Sequence, residues 1–522
     1  MYSLKYFFFR QVRWITLVSI IALVIYAYRG LFARPFAADD YQWLLNIYQL
    51  NVPDLIRASF QIDEQDHFYR PIMWFVWWWQ IQWFGLEPAG YHFVSVVLHL
   101  TNALLLGGLT WRLGCRWSAS IIAIGFVALH PALFEAVVWV SAQSELIATC
   151  LLLLMLHLWV SYNQVIPHQQ TPVTLSRDET APQQTITSDT STHNTRLLSP
   201  AFHNGSVAAF LFIGGTTLAL GLALFTKETA IIGLPLLLLL GGGLFFQRQD
   251  TSPWQLVRSF RHLSLYVLPA IVVILYLVLQ LTVIQRNYLV QEGGYGLGWH
   301  VIFNPVRSLA LIIAPLPGTE HGDAFWLISF GGLVSVGLLV LLFLGPWVVR
   351  YAILALLITL LPTAPFTSAP DSRYLYLPVC AAGLLLTMYF SFIQSSQKQT
   401  HSQDIRASIT QRLVIPMVII VLALWSTGEV ATRESRFASA SGPGGSLWDA
   451  SLSLCAENRP ARVVVVDPPL ATVHADAIVR LACGPGVKPK IVTRDQAADE
   501  VGNRTVVIHF PQGSAEIELR TY

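Results

Sequence analysis

Apolar runs separated by short polar breaks dominate the chain, and most are of the length that a bilayer-crossing helix needs, roughly 17 to 25 residues. Eleven can be placed, at about 14–32, 91–112, 117–134, 143–162, 206–226, 229–247, 264–284, 324–345, 351–367, 374–393 and 413–430. If Lys5, Arg10 and Arg13 are cytoplasmic, the alternation puts Arg112, Arg116, Arg248, Arg258, Arg261, Arg350, Lys398, Arg406 and Arg412 inside as well. That is the asymmetry expected of a membrane protein with a cytoplasmic N-terminus and an extracytoplasmic C-terminus. The first run is long, ends in Arg34-Pro35 and has no convincing cleavage site, so it is read as an anchor and not as a removed signal peptide.

Two regions break the pattern. Residues 163–205 are rich in Thr, Ser and Gln with hardly a large apolar side chain, and are expected to be a disordered cytoplasmic loop. In 431–522, Arg462–Pro468 and Thr505–Phe510 read as short buried strands and Ala471–Ala482 as a helix between them. The expected architecture is an all-α polytopic membrane domain over 1–430 and a small C-terminal extramembrane α/β domain over 431–522. Val463–Asp467 has the look of the first strand of a nucleotide fold, but no glycine-rich loop follows it.

Composition agrees with this class: 54% of the 522 residues are hydrophobic and 12% charged, with a mean hydropathy of +0.54, which excludes an ordinary soluble globule. A net charge of +2 with no basic patch gives no footprint for nucleic acid. Of the five cysteines, Cys115, Cys150 and Cys380 fall in or near apolar runs and read as fillers, while Cys455 and Cys483 are the pair beyond the last run and are expected to form a disulfide in an oxidising compartment.

Given that topology, the polar residues that are unusual at membrane depth gather on the outer face. Foremost is Asp39-Asp40, just past the first run: two adjacent carboxylates repel each other and persist where a cation, a proton transfer or a polar ligand uses them. The alternative is a solvated cap for a helix over Tyr41–Leu50. With them go Tyr69-Arg70-Pro71, Gly90-Tyr91-His92 with His99 and Asn102, His130-Pro131 with Glu135 and Trp139-Val140-Ser141, Lys227-Glu228-Thr229, and Arg373-Tyr374-Leu375-Tyr376-Leu377-Pro378. A transporter would place charges near the bilayer midplane, which is almost charge-free here.

These motifs, in this order, resemble those of the polytopic glycosyltransferases of the C superfamily (GT-C), most closely the transmembrane-and-TPR-type and protein O-mannosyltransferases, over about residues 14–395. Residues 431–522 lack the helical repeats such relatives often carry. The resemblance implies an inverting hexosyltransferase, in a bacterial inner or plasma membrane, that moves one sugar from a polyprenyl-phosphate donor to an acceptor hydroxyl (of protein, glycan or lipid) on the outer face. It implies Asp39 or Asp40 as base, because a hydroxyl needs a carboxylate within hydrogen-bond reach. Arg373, Arg70 and Lys227 are the candidates for the donor phosphate, whose negative charge grows as the sugar leaves. Tyr69, His130, Glu135, Glu228 and Tyr374 complete the candidate set. No His/Glu spacing matches a metal-ligand set, so neither a divalent metal nor a cofactor beyond the lipid donor is expected.

Each assignment has a plainer alternative. Arg70 can cap an interfacial helix whose Trp74, Trp77, Trp78, Trp79 and Trp83 form a headgroup belt; Arg373 can snorkel to lipid; Lys227 can pair with Glu228 at the surface; His130 and Glu135 can close a turn; His92 and His99 can be helix-packing groups. For the whole chain, the alternatives are a flippase for lipid-linked saccharides, which needs no general base, and a scaffold of an envelope-assembly complex.

Overall fold

The computed structural model describes residues 2–62, 68–165, 205–248, 263–284, 288–315, 324–399, 405–458, 460, 462–484, 486–500, 505–511 and 517–521. The helices are α1 (Tyr2–Ala27), α2 (Asp40–Ile47), α3 (Val52–Phe60), α4 (Pro71–Phe84), α5 (Pro88–Arg112), α6 (Trp117–Ala128), α7 (Phe134–Val138), α8 (Gln143–Val165), α9 (Gly205–Leu224), α10 (Gly233–Arg248), α11 (Val267–Ile284), α12 (Tyr288–Gln291), α13 (His300–Ile313), α14 (Ala324–Leu344), α15 (Trp347–Leu360), α16 (Tyr376–Gln399), α17 (Ile405–Asn458) and α18 (Thr472–Cys483). Apart from its two ends, which finish α8 and begin α9, the polar segment 163–205 lies outside the described residues.

Among the described residues seven helices are long and apolar enough to cross a membrane, or eight if α6 and α7 form one span bent by 47°. The other expected spans fall on shorter apolar helices (229–247 and 351–367) or inside the 54-residue α17 (413–430). An apolar helix not expected from the sequence, α13, lies between the expected spans 264–284 and 324–345. The bend between α6 and α7 follows from Pro131: proline has no N–H to donate and drives the preceding residue out of helical geometry. His130 is accordingly extended, at φ −72° and ψ 119°, and its side chain accepts from the Ala132 amide.

Three features set the frame of the site. The main membrane core gathers Val24 of α1 and Tyr28 just after it, Ala103 and Leu106 of α5, Val127 of α6 and Tyr376 and Val379 of α16. The C-terminal sheet has the order β2-β1-β3-β4, from β1 (Arg462–Val466), β2 (Lys488–Val492), β3 (Thr505–His509) and β4 (Glu518–Thr521), parallel except for β4. Alternate strand residues face opposite sides: Val464, Val466 and Val507 pack together on one face, and Val463, Val465, Val506 and Ile508 join a second core on the other.

That second core is shared. It includes Phe36, Tyr41 and Leu44 before and within α2, Trp77 and Ile81 of α4, Leu447 of α17 and Ala475, Ile478 and Val479 of α18. The expected outer strands and helix thus coincide with β1, β3 and α18, while β2 and β4 were not anticipated. The last apolar run does not end near 430: α17 continues to Asn458 and carries the sheet at its end. Its glycine-rich stretch allows close approach, since a Cβ on Gly445 would stand 2.7 Å from Cγ of Pro35. Ion pairs hold the same stretch: Arg34 meets Glu434 at 2.8 Å, and Arg433 meets Glu429 and donates to the Pro315 carbonyl. Cys455 at the end of α17 is bonded to Cys483 at the end of α18, as expected.

Candidate functional site

The loop Pro35–Asp39 leaves α1 and is held between α17, α5 and α2. Ala38 adopts φ +44°, in the left-handed region that costs a residue with a Cβ. The two carboxylates that follow part company. Asp40, 1% exposed, accepts from the Ala37 amide at 2.9 Å and from both the amide and the hydroxyl of Ser141. Burial pushes its pKa up to about 7 against those hydrogen bonds. Asp39 stands at the N-cap position of α2 but makes no side-chain capping bond, and it is only half-buried. Burial raises its pKa as well, while the positive charges of His474, Arg373 and Arg70 pull it down. Neither carboxylate is a solvated cap: Asp40 ties the loop to Ser141, and Asp39 is left facing charged neighbours.

Those neighbours come from the other motifs. Arg70, just before α4, meets Glu228 through two bonds, Nε at 3.0 Å and Nη2 at 2.7 Å, the forked geometry that suits guanidinium to carboxylate. It does not cap α4. The tryptophan belt is also corrected: Trp74 and Trp77 are buried against Trp43, and Trp79 and Trp83 are exposed. Lys227 pairs not with its neighbour Glu228 but with Glu145 of α8 at 2.6 Å, both almost fully buried. The ring of Tyr374 lies 4.9 Å from its ammonium.

Arg373, in the 3-10 turn that leads into α16, meets Glu135 of α7 at 2.7 Å and Asp371 at 2.7 Å. Its guanidinium lies over the Trp139 ring at 4.5 Å, a favourable cation–aromatic arrangement. Glu135 also accepts from the Ser372 hydroxyl and the Arg373 amide. Arg373 is 21% exposed, too enclosed and too well partnered for a side chain that merely snorkels to lipid.

The structure therefore brings together Asp39, Asp40, Arg70, Lys227, Glu228, Glu135, Arg373 and Tyr374. Tyr69 lies at the edge, packing against Phe225 and donating to the Phe60 carbonyl at 3.3 Å. His130 is outside the cluster; it closes its turn and its Nε2 lies 2.9 Å from the Ile312 carbonyl. His99 bonds the Tyr376 hydroxyl at 2.8 Å and the Ala128 carbonyl at 3.1 Å, fixing the start of α16. Two participants were not singled out from the sequence, Glu145 and His474 of α18; Trp139 was named there among the motifs, but not as the platform under Arg373. Among the described residues no three His, Cys, Asp or Glu side chains stand together as a metal site.

Below the cluster, leucine-rich faces of α5, α8, α10, α15 and α16 enclose an apolar groove lined by Leu106, Leu153, Leu240, Ala355, Leu377 and Leu384. Leu377 lies three residues beyond Tyr374, so groove and charged cluster adjoin along α16.

No protein-family model matches the chain, and no curated protein matches it. Solved structures do match in fold. The apo crystal structure of ArnT from Cupriavidus metallidurans aligns with a TM-score of 0.53 at 13% identity, covering 96% of this chain and 94% of that one. The archaeal oligosaccharyltransferase AglB from Archaeoglobus fulgidus, in complex with an inhibitory peptide and a dolichol-phosphate, aligns at 0.50 and 12% identity, covering 92% of this chain and 64% of its own. The chain shares the fold of these two solved structures.

Proposed function

We propose that the chain is an inverting glycosyltransferase that moves a single hexose from a polyprenyl-phosphate donor to an acceptor hydroxyl on the extracytoplasmic face, with its N-terminus cytoplasmic and its C-terminus outside. The observation that carries this reading is the setting of Asp39: a half-buried carboxylate with no ion-pair partner among the described residues, under the influence of Arg373 and Arg70. The GT-C fold and the dolichol-phosphate in the AglB structure support a lipid phosphate as donor.

In this reading Asp39 is the base, which takes the acceptor proton as the hydroxyl oxygen bonds to the anomeric carbon. The bond from that carbon to the phosphate oxygen breaks on the opposite side, and the departing phosphomonoester gains negative charge. Arg373 and Arg70 meet that charge, their carboxylate partners holding the guanidinium planes in position for a fixed electrostatic site. Lys227, sealed beneath Tyr374 and neutralised by Glu145, keeps the floor of the site together and does not contact phosphate. Asp40 positions the loop. The isoprenoid tail lies in the groove that adjoins Tyr374.

The test is transfer by the purified protein from a panel of polyprenyl-phosphate hexoses, wild type beside Asp39→Asn. Loss of a general base typically costs about 10²- to 10⁴-fold in turnover, with donor affinity preserved. Equal turnover in the two proteins would remove Asp39 from the mechanism.

A further inference from the structure

The C-terminal α/β unit is no appendage to the membrane domain. Its helix α18 lies directly on α2, the helix that Asp39-Asp40 begins. Ala475, Ile478 and Val479 of α18 are buried in one core with Phe36, Tyr41 and Leu44, and Ile478 comes within 3.8 Å of the position a Cβ would take on Gly444. His474 is one turn before Ile478, at the i and i+4 spacing that puts both on the same helical face. It is half-buried, and its charge is felt at Asp39 together with those of Arg373 and Arg70. His474 is the one member of this group that arises in the C-terminal unit.

We propose that His474 is a positioning residue of the transfer site and that the C-terminal unit forms the acceptor wall, so that the acceptor hydroxyl is held between the imidazole of His474 and the carboxylate of Asp39. The proposal rests on the glycosyl-transfer reading above. Two observations support it. The cationic residues of the membrane unit, Arg70, Lys227 and Arg373, are each engaged with carboxylates on the donor side. His474 is half-buried on the helix that packs against α2, and an imidazole can bond an incoming hydroxyl.

The charged groups around Asp39 are Asp40 beside it in the chain, Arg373 and Arg70 from the membrane unit, and His474 from α18. His474 is one of the groups that lower the pKa of Asp39, so its loss should raise that pKa. Wild type, His474→Gln and, as a surface control in the same turn, the exposed Val473→Ser are compared as full-length proteins. We expect His474→Gln to lower turnover by roughly 10- to 100-fold through misplaced acceptor, raise the acceptor KM, leave the donor KM unchanged and move the acid limb of the rate profile to higher pH. Melting temperature and the Val473→Ser kinetics should stay at wild-type values. Normal turnover, acceptor KM and acid limb in His474→Gln, with the wild type active, would overturn the proposal while leaving the transferase reading standing. Absence of transfer by the wild type from every donor would overturn both.

Discussion

Asp39 and Asp40 are adjacent in sequence yet chemically distinct, and the difference is one of hydrogen bonding and burial. Asp40 is saturated by Ser141 and Ala37, while Asp39 is aimed by the left-handed residue before it. The sequence could present the two only as alternatives, because which carboxylate is buried depends on Ser141, a hundred residues away. A base has to be ionised, and burial raises the pKa of Asp39. The sign follows: as pH falls, Asp39 takes up its proton earlier than an ordinary carboxylate, so the acid limb of kcat/KM should lie above the usual range near 4. Ser141→Ala withdraws the hydroxyl donor from Asp40, keeps the amide and does not touch Asp39; it should lower turnover through a loosened loop and leave that limb in place. A limb at or below pH 4 in the wild type would contradict the burial argument.

At the scale of elements, the site is made where helices stop. Pro131 breaks the α6–α7 span and sends Glu135 toward Arg373, and the turn at Ser372–Leu375 delivers Arg373 and Tyr374 to the same place. These breaks were legible, since prolines and charges at the ends of apolar runs carry their own signal. Their pairing was not. Lys227 was matched in sequence with Glu228, its neighbour, but in space its partner is Glu145 at the start of α8. The Glu135–Arg373 pair gives an element-level prediction. Arg373→Lys keeps the charge but loses the fork, the stacking on Trp139 and one of two carboxylate contacts, and should weaken donor use by about 10- to 100-fold, part of it in turnover. Glu135→Gln should reproduce a fraction of that loss, because it releases the guanidinium without removing it. Unchanged donor kinetics in Arg373→Lys would assign the residue to packing alone.

For the whole molecule, hydropathy was enough to place the helices but not to say how the end of the chain returns to its beginning. Nothing in the composition of residues 431–458 announces a helix: the run Ser441-Gly442-Pro443-Gly444-Gly445 argues for a break. The helix nevertheless continues, with Gly445 so close to Pro35 that an added Cβ would stand 2.7 Å from its Cγ, and with Gly444 beside Tyr41. In this way α17 brings the sheet and α18 back over the loop that carries Asp39. The Cys455–Cys483 bond closes that return, tying the end of α17 to the end of α18 across 28 positions. By the chain-entropy model a loop of that size contributes roughly 3 to 4 kcal/mol. Replacing both cysteines by Ser should therefore lower the first unfolding transition, that of the sheet and α18, while the apolar helices melt as before. Because α18 also covers α2, the same variant should lose transfer activity at temperatures where the membrane helices are intact, and donor binding should survive that loss. Circular dichroism melts run in parallel with transfer assays at each temperature decide it: activity that persists until the membrane helices themselves unfold would show that the C-terminal unit is dispensable to the site.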